Sequence, residues 1–190
     1  MKKHVIGIMF VVCATFISYM TIAKAEEFHW GFKPSRNAEP VEIGEPLESL
    51  LENYGAIYKG DPAKKVVYLT FDNGYENGFT ESILNTLRAE EAPATFFLTG
   101  HYLTSATDLV KTMIADGHTI GNHSDGHPNM AKLTSNGMKE EWFRFDEELY
   151  ELTGIDRTYY ARPPEGIFNE EVLKVGNEVG YRHIFWSIAF

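Results

Sequence analysis

The sequence is nearly free of cysteine. Its one cysteine, Cys13, lies in an apolar N-terminal stretch. Val12 before it is too large for a lipoprotein site, which argues against lipid attachment. The rest of the chain can form no disulfide, no thiolate metal site and no cysteine nucleophile. Basic charge is also scarce. Seventeen Lys and Arg stand against 27 Asp and Glu, for a net charge of −10. A surface this short of cations cannot neutralise a phosphate backbone, so a nucleic-acid partner is excluded. Short tandem repeats and low-complexity tracts are absent.

Only one long hydrophobic run exists. It extends from Val5 to Ile22, follows Lys2 and Lys3, and ends in Ala23-Lys24-Ala25. A charged start, an apolar middle and a small-residue exit make a secretory signal. The expectation is a signal peptide over residues 1–25, cleavage before Glu26, and an exported protein with no stable membrane insertion afterwards. A retained anchor is the alternative, because the run approaches the roughly 20 residues that a spanning helix needs. The 165 residues left after cleavage suit one domain.

Residues 26–64 read as an N-terminal accessory segment. Trp30, Phe32, Pro34, Pro40 and Pro46 suggest irregular structure with aromatic anchors. One helix is expected from Pro46 to Tyr54, with Leu47, Leu50, Leu51 and Tyr54 on one face and Gly55 after it. Regular alternation begins near Val66. Val66 to Phe71, Ala94 to Leu98, His118 to Gly121, Thr158 to Ala161 and His183 to Ile188 read as strands, of the kind buried on both faces of a parallel sheet. Helical patterns lie between them. Met138, Trp142, Phe145, Leu149 and Leu152 form the clearest apolar face, closed by Gly154. Strand and helix in alternation predict an α/β domain of βαβ units.

In such folds chemistry sits on loops that leave the carboxyl ends of strands. Three polar clusters obey that rule. Asp72 follows the first strand, His123 and His127 the third, and Arg162 the fourth. Each has a plain alternative. Asp72-Asn73-Gly74 is also an ordinary turn sequence. Read functionally, Asp72 is a general base, and Arg162 is the cation that can hold it in place and charged. His123 and His127 stand four residues apart, a spacing that can bring both rings to one metal. Pro128 keeps the second histidine out of a helix, so the pair belongs to a turn. His118 reads as structural. Pro163 and Pro164 stiffen the loop after Arg162, and a stiff loop can aim the Glu165 backbone N–H at a developing oxyanion. Tyr75, Tyr102 and Trp186 are candidates for packing against a sugar ring.

Taken in order, Thr70-Phe71-Asp72-Asn73-Gly74, His123-Ser124-Asp125-Gly126-His127 and Arg162-Pro163-Pro164-Glu165-Gly166 resemble the three motifs of the polysaccharide deacetylase family, the NodB-homology domain. The resemblance covers residues 65–190. It implies a distorted (β/α) barrel that hydrolyses an acetyl group on a glycan with help from a divalent metal. Asp72 is then the base, Arg162 its orienting partner, and Glu165 part of the oxyanion site. His123 and His127 are metal ligands, with Asn73 as a third. Trp30-Gly31-Phe32-Lys33, Thr70 to Gly78 and Phe185-Trp186-Ser187 are similar to the peptidoglycan N-acetylmuramic acid deacetylases of spore-forming bacteria, which lead to the muramic δ-lactam of the spore cortex. Peptidoglycan strands are the implied partner, and sporulation the implied setting. Deacetylation of N-acetylglucosamine or chitin-type glycans is the alternative.

Two departures from the pattern matter. Asn73 stands where the wider family has an aspartate ligand, and its amide oxygen carries no charge and is a weaker ligand; with two histidines the metal could be zinc, manganese or cobalt. The family also continues past the equivalent of Phe190 with Asp-Trp and Leu-His segments, the latter carrying the general acid. The expectation is therefore a C-terminally truncated domain with an incomplete barrel and an open edge at its first strand. A non-catalytic glycan-binding remnant is the third reading.

Overall fold

The computed structural model describes residues 26–35 and 39–190. The expected signal peptide, residues 1–25, lies outside the described residues. Among the described residues no helix is long and apolar enough to cross a membrane.

The chain opens with β1 (Phe28–His29) and α1 (Leu47–Asn53), then enters a regular alternation. It runs β2 (Leu69–Asn73), α2 (Thr80–Ala89), β3 (Ala94–Leu98), α3 (Gly100–Ser105), α4 (Thr107–Ala115) and β4 (Thr119–Asn122). A 3-10 turn at Met130–Lys132 leads to α5 (Ser135–Thr153) and β5 (Tyr160–Ala161). A second 3-10 turn, Pro164–Gly166, precedes β6 (Ile167–Phe168), α6 (Glu170–Glu178) and β7 (Arg182–His183). Five strands form one parallel sheet in the order β2-β3-β4-β5-β7. This is the α/β alternation that the periodicity predicts.

Register divides the sheet into two faces. Asp72, Phe97 and Gly121 stand in one row across β2, β3 and β4. Their neighbours Phe71, Phe96 and Ile120 face the other way. Phe71 stacks on Phe96 at 4.9 Å between ring centroids, and Phe96, Leu98 and Ile120 pack under α2 to α5. In the row of Asp72, Gly121 carries no Cβ for a reason. A Cβ there would stand 2.5 Å from the Phe97 ring, so the large side chain occupies the place of the missing one.

The helices follow from their caps and stripes. Thr134 accepts the Gly137 N–H at 3.2 Å and starts α5. Met138, Trp142, Phe145 and Leu149 are its buried stripe. Asn169 accepts the Val172 N–H at 3.0 Å and starts α6. Burying such side chains contributes about 1.5–3 kcal/mol each.

Three expectations change. The first strand begins at Leu69, not Val66, and it is an edge strand, so Val66, Val67 and Tyr68 are exposed instead of buried on two faces. The last strand is short, Arg182–His183, with one further parallel bridge between Ile57 and Ile184. The segment 26–64 also enters the core. β1 pairs antiparallel with β6, and Val41, Leu51 and Tyr58 share one apolar cluster with Phe168, Leu173 and Phe185.

His183 is buried between the sheet and α6, and neither ring nitrogen has a hydrogen-bond partner. Burial pushes its imidazole down to about 4 from an ordinary 6.5. Between those values the unfolded chain binds a proton that the folded chain refuses. The stabilising contribution is therefore complete above about pH 6.5 and is lost as pH falls toward 4. We expect a loss on the order of 3 kcal/mol from this group across that window, read by urea unfolding. His183→Leu should remove that component of the slope; a variant with the wild-type slope refutes the assignment.

Candidate active site

Arg162 leaves the end of β5 and points into the trough of the sheet. Its guanidinium donates to Asp72 Oδ1 at 2.7 Å, to Thr70 Oγ1 at 3.0 Å and to the Ile184 carbonyl at 3.0 Å. A longer contact of 3.4 Å reaches the Phe185 carbonyl. Its Cζ lies 4.2 Å from the centroid of the Phe97 ring. In a flat sheet β2 and β5 would be three strand spacings apart, roughly 14 Å. One side chain closes that distance here, so the sheet curls as a barrel wall does. Burial pushes the Arg162 pKa down, while the Asp72 charge opposes the fall. Asp72 itself is partly open, with 37% of its side chain exposed. A carboxylate held from behind and open in front is positioned to accept a proton from water.

His123 follows β4 and is buried. Its Nδ1 lies 2.8 Å from the Arg162 carbonyl. A carbonyl only accepts, so Nδ1 carries the hydrogen and Nε2 keeps its lone pair. That Nε2 stands 4.0 Å from Asp72 Oδ2. Burial pushes the His123 pKa down, against the opposing pull of Asp72, and so favours the neutral ring that a metal needs. The His127 ring is 4.8 Å from it, centroid to centroid, and more exposed. Ser124 and His127 both take left-handed backbone, with φ of 66° and 55°. This is the turn that the Pro128 argument requires.

Asn73 supplies a different kind of signal. Its Oδ1 is buried without a hydrogen-bond partner. An orphaned buried acceptor is costly unless something positive satisfies it. Among the described residues, no group of three His, Cys, Asp or Glu converges as a metal site. The groups that could hold a divalent cation are the His123 and His127 imidazoles and the Asn73 amide oxygen.

Glu165 is left-handed at φ 57°, and Gly166 follows at φ 67°. The N-terminal segment holds this turn. Trp30 N–H donates to the Gly166 carbonyl at 2.8 Å, and Trp30 Nε1 donates to the Trp186 carbonyl at 3.0 Å. Trp186 lies 5.3 Å from the Arg162 guanidinium, at the edge of the cluster.

The sugar-facing candidates separate. Tyr75 is exposed. Tyr102 is not available to a sugar: it is fully buried and donates to Glu76 at 2.7 Å, beside Thr80 at 3.0 Å. Its helix, α3, turns it under the loop after β2. His118 is buried and accepts the Ala94 N–H at 3.3 Å, as a structural residue would. Sequence reasoning gave no role to Thr70 or Glu76 and no partner to Trp30. Glu76 was legible only as part of Tyr-Glu-Asn-Gly; its carboxylate is pulled down to about 2 by the Thr80 hydroxyl, with further bonds from Tyr102 and backbone N–H groups.

The fold and this cluster define a class. Residues 59–184 match the family model described as polysaccharide deacetylase, and the chain belongs to that family. Among curated relatives it is 45% identical over 165 residues to the peptidoglycan-N-acetylmuramic acid deacetylase PdaA of Bacillus subtilis, covering 87% of this chain and 63% of the relative. The solved structure of that protein, a family 4 carbohydrate esterase, superposes with a TM-score of 0.84 over 87% of this chain and 70% of the other. A family 4 carbohydrate esterase from Bacillus anthracis matches at 42% identity and a TM-score of 0.79, over 87% of this chain and 75% of that one. A peptidoglycan-N-acetylglucosamine deacetylase of Bacillus cereus is 35% identical, over 74% of this chain and 50% of the relative. The chain thus spans one half to three quarters of the length of these proteins.

Gly166 offers a direct test of the Trp30 contact. A Cβ there would stand 2.7 Å from Trp30 Cβ and 2.8 Å from the Trp186 ring, in a left-handed conformation. Gly166→Ala should cost about 1–3 kcal/mol in urea unfolding. A neutral result would mean that the turn and Trp30 are not packed as described.

Proposed function

We propose that this protein is an exported, metal-assisted deacetylase of peptidoglycan that acts on N-acetylmuramic acid. The observation that carries the chemistry is one carboxylate, Asp72, gripped at 2.7 Å by a buried guanidinium and 4.0 Å from a neutral imidazole. The sugar assignment rests on similarity to the Bacillus subtilis enzyme, at 45% identity against 35% for the N-acetylglucosamine enzyme. An extracytoplasmic site of action, in the cell wall or spore cortex, follows from that substrate and from the expected signal peptide.

Asp72 takes the proton of a water aimed at the acetyl carbonyl carbon. Arg162 grips one carboxylate oxygen by a charge-assisted hydrogen bond and fixes the free oxygen toward the trough. The Glu165 N–H donates to the carbonyl oxygen as it gains charge. The C–N bond then breaks, giving acetate and an amino sugar, and the proton held by Asp72 is available for return to the amine. His123, His127 and the Asn73 amide oxygen would hold a divalent zinc, manganese or cobalt ion. When bound, that ion supplies Lewis acidity to the carbonyl and the attacking water. Tyr75, which is exposed, and Trp186, at the edge of the cluster, would border the sugar.

Asp72→Asn keeps the shape and loses the base. Its rate of acetate release from peptide-free peptidoglycan should fall by about 10²–10⁴ while the fold persists. Unchanged acetate release would remove Asp72 from the mechanism. Amino-sugar analysis of the product tests the substrate: free amines on muramic residues are expected, and amines confined to glucosamine would select the N-acetylglucosamine reading. His123→Ala and His127→Ala should each abolish zinc uptake by the folded chain, and retained uptake would refute the ligand assignment.

A further inference from the structure

Residues 123–127 form a turn with two non-glycine residues in left-handed backbone, Ser124 and His127. Each such residue costs on the order of 1–3 kcal/mol and persists only where its surroundings over-determine it. The five successive N–H groups of the turn show what does so. His123 donates to the Leu98 carbonyl at 2.9 Å, and Ser124 to Asn122 Oδ1 at 2.8 Å. His127 donates to Ser124 Oγ at 2.9 Å. The two central groups go to one residue of α5. Asp125 N–H donates to the Glu141 carbonyl at 3.2 Å, and Gly126 N–H to Glu141 Oε2 at 2.7 Å.

Glu141 is the only residue that serves two of the five, once with its backbone and once with its side chain. Its carboxylate is largely buried, at 12% exposed. The other oxygen, Oε1, accepts from Arg144 at 3.0 Å, and Arg144 also leans toward Asp125 at 3.7 Å. The carboxylate is therefore aimed. It meets the turn one residue before His127, where the chain must reverse if the second imidazole is to stand 4.8 Å from the first.

We propose that Glu141 is a positioning residue that sets the geometry of the histidine pair for its metal. The inference rests on the reading of His123 and His127 as ligands. It adds that a side chain on the middle of α5, remote from the motifs, fixes the second ligand. Ligand orientation by such outer partners typically changes metal affinity 10–100-fold. A carboxylate is not required for its charge. What the turn needs is an acceptor at that distance from the Gly126 N–H.

The test is zinc affinity of the full chain by calorimetry, with cobalt(II) absorption to report ligand geometry and thermal unfolding without metal as a control. Glu141→Gln keeps an acceptor of the same length and should bind zinc within about threefold of wild type. Glu141→Ala should weaken binding about tenfold or more. Glu141→Asp keeps the charge but withdraws the acceptor, and should fall with alanine; it decides the matter if the alanine variant does not fold. Both weakened variants should show an altered cobalt spectrum, which a loss of stability alone would not give. Wild-type affinity in the alanine or aspartate variant, with wild-type uptake intact, overturns the role of Glu141 and leaves the ligands standing. Failure of the wild type itself to bind zinc or cobalt overturns the ligand reading, and this inference with it.

Discussion

Everything at the centre of this molecule depends on burying one guanidinium. Arg162 is 3% exposed, and its desolvation is costly unless each donor finds an acceptor in good geometry. The acceptors are spread over the sheet. Thr70 and Asp72 belong to β2, at one edge, while Ile184 and Phe185 follow β7, at the other. Satisfying all of them requires the two edges to approach. The curl of the sheet and the solvation of Arg162 are one constraint seen from two sides. Lysine could not meet it, because a point charge with three donors lacks the planar fork that reaches two strands at once.

The same residue organises the histidine. The backbone carbonyl of Arg162 fixes the His123 tautomer, while its side chain fixes Asp72. Carboxylate and imidazole therefore move together with the end of β5. A displacement of that strand end would misalign both, so the parts of the site are coupled before any ligand arrives. The Glu165 turn continues from this anchor, and Trp30 closes it from the N-terminal side. An element far away in sequence thus stands directly behind the loop proposed to carry the oxyanion donor.

What the sequence made legible follows from this arrangement. Asp72, His123 and Arg162 were readable because each ends an apolar run, and parallel strands bring such ends to one edge. Tyr102 was misread because an aromatic residue soon after a strand looks the same whether its helix turns it outward or under the loop. The start of β2 was misread because Val66 to Tyr68 has the composition of a buried strand, and composition does not say which strand lies at an edge. Trp30 announced itself as an aromatic anchor, but nothing in the pattern said what it anchors. Glu141 gave no sign at all: one more acidic residue on an amphipathic helix is indistinguishable from its solvated neighbours until the turn is seen against it.

Asparagine at position 73 has a local explanation. The Tyr102 hydroxyl lies beneath it and has one proton to give, which goes to Glu76. Burial pushes Tyr102 up to about 12, and contact with Thr80 and Asn73 opposes that rise, as a donor to the phenolic oxygen would. An amide has an N–H to offer such an oxygen; a carboxylate has none. An aspartate would also bring a third carboxylate beside Asp72 and the strongly ionised Glu76, where like charges disfavour one another. The Asn73 amide oxygen remains an orphaned buried acceptor. A neutral side chain at position 73 is thus matched to the tyrosine and glutamate around it. Neutral donors would leave a bound divalent cation with more of its own charge, and with less affinity to hold it there.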